Sequence, residues 1–215
     1  MTTNTTPNEL TDRLLAWNFG LGWVNANAPL MGAAIIELAA GEPVELQRVA
    51  ARAGLTEPEV RDFFRQTPAE WDDHGRLVGF GVTLRETRHR YTTGGRTLYT
   101  WCAPDALAFP ALTDQLALIE STCHETGVAI RVDITPDGVR NVDPAGAVVS
   151  IVPRDIGVQE LRELLCNEQH FFATVDAAEA WRGDRDDVIL VPVADAFEPL
   201  RTLMRHWTPT PREVA

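Results

Sequence analysis

Two turn sequences in the second half of the chain constrain its fold most. Gly94-Gly95 and Thr135-Pro136-Asp137-Gly138 each lie between two short stretches that are rich in apolar and β-branched residues. Glycine pairs and Pro-Asp-Gly sequences permit the backbone angles of tight turns, so this pattern is typical of β-hairpins. The second half is therefore predicted to contain a mixed or antiparallel β-sheet.

The first part of the chain shows helical spacing instead. Thr11 is a candidate N-cap for a first helix, and Pro29 and Gly41 mark the beginning and end of a second one. Thr56, with Glu59 three residues later, is typical of a capping box at the start of a further short helix. The first part of the chain is therefore predicted to be mainly helical, and the second part mainly β-sheet.

These patterns together predict an α+β fold. Residues 1–82 are expected to form a helical, winged-helix-like region. Residues 83–215 are expected to form an α/β part, with a mixed or antiparallel sheet and flanking helices. A chain of 215 residues can bury a sizeable core without disulfide bonds.

The helix–turn–helix pattern at residues 45–66 also suits a transcription regulator. A DNA-reading helix presents basic and amide side chains to the groove. Here the second helix opens with Thr56-Glu57-Pro58-Glu59, and the formal net charge of the chain is −12. A strongly acidic surface repels the phosphates of nucleic acids and of anionic lipids. We therefore expect no nucleic acid and no membrane as a partner.

The three cysteines are Cys102, Cys123 and Cys166. Residues 1–7 lack the basic start and apolar stretch of a secretory signal, and the apolar runs are far shorter than the ~20 residues of a membrane span. A cytoplasmic location is expected, where thiols stay reduced. The cysteines are therefore predicted to be free, for packing, metal binding or catalysis.

Cys102 and Asp105 stand three residues apart at a predicted change from strand to helix. Pro104 favours the first turn of a helix, which places the thiol and the carboxylate on one side. The start of a helix also favours a thiolate. Taken alone, this spacing is weak evidence, because a single cysteine is more often a small buried residue and a single aspartate there is more often a helix cap.

Further motifs follow this one along the chain. They are Trp101-Cys102-Ala103-Pro104-Asp105, Phe109-Pro110-Ala111-Leu112, Ile119-Glu120-Ser121-Thr122-Cys123, Asp143-Pro144-Ala145-Gly146-Ala147, and Cys166 with His170-Phe171-Phe172-Ala173. This succession resembles the organomercurial lyase (alkylmercury lyase, MerB) family of bacterial mercury resistance. The resemblance runs from about residue 77 to the end and is looser in the helical part.

The resemblance implies roles for four residues. Cys102 and Asp105 match the first catalytic cysteine and the catalytic aspartate of the family's Trp-Cys-Ala-x-Asp motif. Cys166 matches the second catalytic cysteine, and Cys123 matches a cysteine that is generally assigned a structural role. Cys102, Asp105 and Cys166 are thus the expected contacts of mercury as substrate and product, which makes residues 83–215 the expected catalytic region. Pro104 stands where family members often have Leu, which bears on how Asp105 is presented.

These groups suit cleavage of a carbon–mercury bond. Mercury(II) is soft and prefers thiolate sulfur, and two thiolates on one mercury weaken its bond to carbon. A carboxyl with an ordinary pKa of about 4 is ionised at neutral pH, so Asp105 must first receive a proton from an incoming cysteine. Asp105 then protonates the carbon, and Hg²⁺ stays on Cys102 and Cys166.

The expected partners follow from this chemistry. The substrate is an organomercurial, no cofactor is expected, and low-molecular-weight thiols or mercuric reductase remove the Hg²⁺. Trp101 and Phe172 are candidates for the wall of an apolar pocket, and plain core packing explains them equally well. The sequence indicates no particular oligomeric state.

Two other readings remain beside the lyase and the DNA-binding regulator. A related protein that binds or senses metal through the same thiols, without turnover, has the same cysteines. His170 stands four residues after Cys166, a spacing that suits zinc binding in a helix. The expected change from helix to strand between them argues against a zinc site.

Overall fold

Helices form the first part of the chain. The computed structural model describes residues 6–209, apart from the side chains of residues 19 and 20. Gly54, with φ of 67°, ends the third helix in the left-handed conformation that glycine adopts most readily. The predicted helix–turn–helix is therefore present. The helices are α1 (Pro7–Gly20), α2 (Gly22–Leu38), α3 (Leu46–Ala53) and α4 (Glu57–Phe64).

The first two helices differ in detail from the sequence pattern. Thr6 caps α1, because its N–H donates to the Glu9 carboxylate at 2.8 Å and its hydroxyl accepts from the Glu9 N–H at 3.3 Å. Thr11 lies inside α1, where its hydroxyl donates to the Pro7 carbonyl, so its prediction as the cap is wrong. Pro29 lies inside α2 rather than at its start. An internal proline removes a helix hydrogen bond, and the packing of this largely buried helix compensates for the loss.

Eight strands form one antiparallel sheet. The strands are β1 (Glu70–Trp71), β2 (Leu77–Phe80), β3 (Val82–Thr83), β4 (His89–Thr93), β5 (Arg96–Thr100), β6 (Ala117–Thr122), β7 (Ala129–Thr135) and β8 (Gly138–Asp143). Their order is β1-β2-β3-β5-β4-β6-β7-β8. Both predicted hairpins are confirmed: β4 and β5 are joined through Gly94-Gly95, whose φ angles are 54° and 75°, and β7 pairs with β8.

A smaller sheet and three helices complete the second part. The strands β9 (Val148–Ile151), β10 (Phe171–Phe172) and β11 (Ile189–Pro192) form an antiparallel sheet with β9 in the centre. The helices are α5 (Ala103–Thr113), α6 (Val175–Arg182) and α7 (Val193–Arg205). Between β9 and β10 lies an irregular helical stretch, the 158–168 segment, of Val158–Glu160, Leu161–Leu165 and Cys166–Glu168.

The helices and the antiparallel sheet confirm the predicted α+β class. The predicted boundary between residues 82 and 83 falls inside β3, which pairs with β2 on one side and β5 on the other. One hydrophobic core includes residues from both parts, and α7 packs against both α1 and α5. The division into two regions stays a prediction.

Ion pairs engage the arginines of the helix–turn–helix. The buried carboxylate of Glu37 accepts from two of them, and the other two pair with acidic residues of α4 itself. Little positive charge is therefore left to attract phosphate. The pairs are Arg48–Glu37 and Arg52–Glu37, both at 2.6 Å, Arg61–Glu57, and Arg65–Asp62 at 3.3 Å.

Within residues 6–209, no single helix has both the length and the apolar character of a membrane span. Segments of α1 and α2 reach that length and composition only when taken together, across a bend of 100°.

Gly32 is the position where α2 approaches the chain that follows α7. A Cβ at this position would lie 1.9 Å from the carbonyl oxygen of Trp207, a backbone atom. Gly32→Ala is therefore expected to lower the free energy of unfolding by about 1–3 kcal/mol, the usual cost of overpacking. Urea denaturation measures the change.

Gly22→Ala is the matched control for this experiment. The same methyl group at Gly22 would meet no atom within 4 Å. Alanine is also the better helix former, so this variant should be as stable as the parent or slightly more so. Equal destabilisation by the two substitutions would contradict the proposed contact between α2 and Trp207.

Candidate active site

The start of α5 brings a thiol and a carboxylate together. Cys102 is the N-cap of this helix, with φ of −142° and ψ of 171°, and Pro104 lies in the first turn. Backbone hydrogen bonding between these two residues acts to lower the pKa of both side chains. Pro104 is accommodated without displacing Asp105.

Cys166 reaches the same place from the 158–168 segment. It follows the π-helical turn Leu161–Leu165, and π-helical turns are frequent at functional sites. The Ala103 N–H donates to the Gln169 carbonyl at 3.3 Å, and the Gln169 N–H donates to the Cys166 carbonyl at 3.2 Å. The turn after Cys166 is therefore docked on the start of α5.

The two sulfurs and the carboxylate form one cluster. Ligand atoms of Cys102, Asp105 and Cys166 all lie within 4.8 Å of one another. A metal–thiolate bond such as zinc–sulfur is about 2.3 Å long, so two sulfurs on opposite sides of one ion are about 4.6 Å apart. In the part of the chain that the structure describes, this is the only group of three or more Cys, His, Asp or Glu residues that could hold a metal ion.

Comparison with known proteins agrees with this geometry. Residues 82–205 match the MerB family model, alkylmercury lyase. The chain belongs to the alkylmercury lyase family. The matched region contains Cys102, Asp105 and Cys166, together with Cys123.

Alkylmercury lyases of several bacteria are similar to this chain. The Streptomyces lividans protein is 38% identical over 187 residues, which is 86% of each chain. The Staphylococcus epidermidis protein is 43% identical over 162 residues, 75% of this chain and 74% of the relative. The mercury-bound form of MerB2 superposes with a TM-score of 0.73 at 20% identity, covering 94% of this chain and 100% of that one. At that identity the structural match supports the fold alone.

Burial makes the Asp105 carboxyl a weaker acid than an ordinary aspartate. Desolvation raises its pKa to about 7, although hydrogen bonds from Cys102 act in the opposite direction. Its Oδ2 atom is closed off from solvent and has no hydrogen-bond partner within residues 6–209. At neutral pH this carboxyl is therefore present both as acid and as carboxylate, whereas an ordinary aspartate is ionised. Asp105 can accept a proton and give it back.

Burial makes both thiols of the cluster weak acids. Burial raises the pKa of Cys102 well above its ordinary value, and the neighbouring Cys166 and Asp105 groups raise it further. The hydrogen bond from Cys102 lowers the pKa of Cys166, and so does the Arg162 guanidinium, although burial and the Asp105 charge leave it raised overall. Both thiols are therefore weaker acids than an exposed cysteine, and the Arg162 guanidinium favours the thiolate form of Cys166.

Arg162 lies one helical turn before Cys166 and is held from both sides. Its guanidinium forms an ion pair with the buried Glu70 of β1, and it lies 4.9 Å from the centroid of the Trp101 ring. The Glu70 carboxylate also accepts from the Thr83 hydroxyl. Neither Arg162 nor Glu70 could be predicted from the sequence, because no local pattern pairs two residues so far apart in the chain.

An apolar cavity of about 90 Å³ adjoins the cluster. Asp105, Cys166 and Trp101 line it. The ring N–H groups of Trp17 and Trp23 donate to the carbonyls of residues 154 and 156 at 2.9 and 3.0 Å, which fixes α1 and α2 over the cavity. The other lining residues include Leu14, Phe80, Phe109, Leu165, Leu200 and Trp207.

Phe172 is not among the residues that line this cavity. Its ring packs against Trp181, with centroids 5.2 Å apart, and against His124 at 6.2 Å. Of the two readings given for Phe172, core packing is the one that fits. Trp101, the other candidate, does face the cavity.

Cys123 and His170 lie outside the ligand cluster. Cys123 follows β6, and its N–H donates to the Val128 carbonyl at 2.7 Å in the turn towards β7. This placement accords with a structural role, which stays a prediction. His170 stacks on His124, with ring centroids 3.7 Å apart. Among the described residues, Cys166 and His170 share no metal-ligand group, so the zinc alternative gains no support.

Asp105→Asn is expected to stabilise the protein at alkaline pH. Because the folded-state pKa of Asp105 is raised from 3.8 to about 7, its contribution to stability is full below pH ~4 and is lost as the pH rises through about 7. An uncharged amide avoids this loss. The variant should therefore gain little near pH ~4 and up to about 4 kcal/mol near pH ~8. Urea denaturation at several pH values measures the difference.

Asp73→Asn provides the control for this measurement. Asp73 is exposed, so water already solvates the charge that the substitution removes, and the stability difference should not grow with pH in the same way. A constant difference between the Asp105→Asn variant and the parent across this pH range would contradict the burial argument.

Proposed function

We propose that this alkylmercury lyase cleaves the carbon–mercury bond of organomercurials by protonolysis, with Cys102, Asp105 and Cys166 as the reacting groups. The observation that carries the proposal is the cluster of two sulfurs and a carboxylate oxygen within 4.8 Å of one another. Thiolate sulfur is the ligand that soft mercury prefers. A carboxyl beside it supplies what two thiolates cannot, a proton for the leaving carbon.

Cys166 makes the first bond to mercury. Cys166 lines the apolar cavity, whereas Cys102 is not among its lining residues, and the nearby Arg162 guanidinium acts to lower the pKa of the Cys166 thiol. Cys166 loses its proton to solvent, and the thiolate displaces a weak ligand from R–Hg⁺. The substrate is then held as Cys166–S–Hg–R beside Cys102.

Cys102 makes the second bond, and Asp105 handles its proton. The Cys102 thiol passes its proton to the Asp105 carboxylate, and the resulting thiolate binds the metal. Asp105 then protonates the carbon as general acid, and the electron pair of the broken carbon–mercury bond forms the new carbon–hydrogen bond. In total, R–Hg⁺ and two thiols give R–H, one Hg²⁺ held by two thiolates, and one proton released.

The cavity beside the cluster receives the organic group. Its walls are mostly aliphatic and aromatic, with Trp101 next to the reacting groups. An apolar surround strengthens the interaction between thiolate and metal, because charges attract more strongly where water is excluded. It also keeps bulk water away from the proton on Asp105.

The remaining parts of the proposal concern partners and location. The reaction requires no bound cofactor, and low-molecular-weight thiols or mercuric reductase take the Hg²⁺ from the two cysteines. A cytoplasmic location fits this supply of reduced thiols. The ion pairs on the helix–turn–helix arginines and the acidic net charge support a function that involves neither nucleic acid nor a membrane surface.

Benzene release from phenylmercury tests the three roles. Cys102→Ala and Cys166→Ala should lose turnover, because a single thiolate neither holds nor activates the metal sufficiently. Asp105→Ala should slow release about 10²- to 10⁴-fold, the usual contribution of a general acid. Headspace gas chromatography quantifies the benzene.

Cys123→Ala is the control thiol substitution. Cys123 is buried outside the cluster, so this variant should release benzene at the parental rate and differ mainly in stability. Near-parental release from any of the three cluster variants would refute the role given to that residue. Mercury uptake by the parent without benzene would point to a metal-binding protein that has no turnover.

A further inference from the structure

Gln169 has the geometry of a fourth functional residue at this site. We propose that its side-chain amide holds the Cys102 sulfur in place and donates a hydrogen bond to it while that sulfur carries negative charge. The inference rests on the proposed function, in which Cys102 becomes a thiolate before it binds mercury. Gln169 would then be a catalytic residue, because it touches a reacting atom.

The orientation of the Gln169 amide is fixed by its neighbours. The Nε2 atom lies 3.7 Å from the Cys102 sulfur, and Oε1 accepts from the Val152 N–H at 3.2 Å. Amide orientation is assigned from the surrounding hydrogen bonds. A backbone N–H can only donate, so the oxygen must face Val152 and the NH₂ group must face the sulfur.

The backbone of the same residue joins the two thiol turns. Its carbonyl accepts from the Ala103 N–H, next to Cys102, and its N–H donates to the Cys166 carbonyl. Gln169 is only 5% exposed and lines the cavity. The backbone of Gln169 is therefore fixed to both thiol turns and its side-chain oxygen is fixed by Val152. The amide does not have to be reorganised when charge develops on Cys102.

A neutral donor suits this sulfur better than a charged one. Cys102 is 1% exposed, and its neighbours Asp105 and Cys166 become negative during the reaction. A lysine here would form an ion pair with Asp105 and compete for its proton. The amide stabilises a buried thiolate without carrying a charge or exchanging a proton at neutral pH.

Two substitutions separate the contact with sulfur from the contact with Val152. Gln169→Met keeps the length of the side chain but removes both hydrogen bonds. Gln169→Glu keeps the acceptor for Val152, and its carboxyl can donate to sulfur only while it is protonated. Ser150→Ala is the matched control: Ser150 is buried and its hydroxyl accepts from the adjacent His170 N–H at 2.9 Å.

Single-turnover benzene release from phenylmercury is measured as a function of pH for all three variants. Gln169→Met should be slowed about 10- to 100-fold at every pH, as expected for the loss of a hydrogen bond to a charged group. Its affinity for phenylmercury should change little, because Cys166 anchors the substrate. Gln169→Glu should be slow at neutral pH and recover relative to the parent as the pH falls. Ser150→Ala should show no such pH dependence.

Two results would overturn the inference. If Gln169→Glu matched the parent at all pH values, the residue would only anchor Val152. If Gln169→Met released benzene at the parental rate, the amide would have no part in the reaction.

A second measurement keeps this inference separate from the proposed function. Alkylation of Cys102 in the resting protein, relative to Cys123, requires no turnover and is followed by mass spectrometry. Gln169→Met should slow it, and an unchanged or faster rate would refute the contact. If the parent itself released no benzene, the proposed function would fail while the alkylation result still decided the role of Gln169.

Discussion

The shielding of two buried thiols and a part-buried carboxyl from water is the constraint on which the site depends. Two thiols and a carboxyl share one apolar recess, and burying a charge is costly unless it is paired. The protein meets this cost by keeping the thiols protonated at rest and by making Asp105 a weak acid with a pKa of about 7. When the soft cation binds, the two thiols lose their protons and become its ligands, and Asp105 takes up a proton that it can give to the carbon.

Backbone hydrogen bonds, rather than nearness in sequence, hold the recess together. The start of α5 fixes Cys102 against Asp105, and the turn at Gln169 docks Cys166 on that helix. The ion pair of Arg162 with Glu70 attaches the same turn to β1. The fold therefore supplies a rigid frame in which only the metal and the organic group need to move.

Local chemistry explains which features could be predicted from the sequence. The hairpin at Gly94-Gly95 follows from backbone angles that glycine adopts most readily, and the Cys102–Asp105 pair follows from a three-residue spacing at the start of a helix. The prediction of Thr11 as the cap was wrong because Thr6 has the same side chain and stands three residues before Glu9, with which it exchanges hydrogen bonds.

Features that depend on tertiary contact could not be predicted in this way. The approach of Cys166 to Cys102 was expected only through the resemblance to a family. Phe172 packs with Trp181 because of how β10 meets α6, and Gln169 gives no local sign of its contact with sulfur. Such contacts join segments that are distant in the chain, and no period or spacing encodes them.

The part of the cavity wall that α1 and α2 form has a consequence for how such enzymes diversify. The family match spans residues 82–205 and includes every reacting group, whereas Leu14, Trp17 and Trp23 of the cavity wall lie outside it. Part of the wall that receives the organic group is thus encoded outside the stretch that carries the reacting groups. Substitutions in α1 and α2 can therefore reshape that part of the wall over generations while the bond-breaking residues are inherited unchanged.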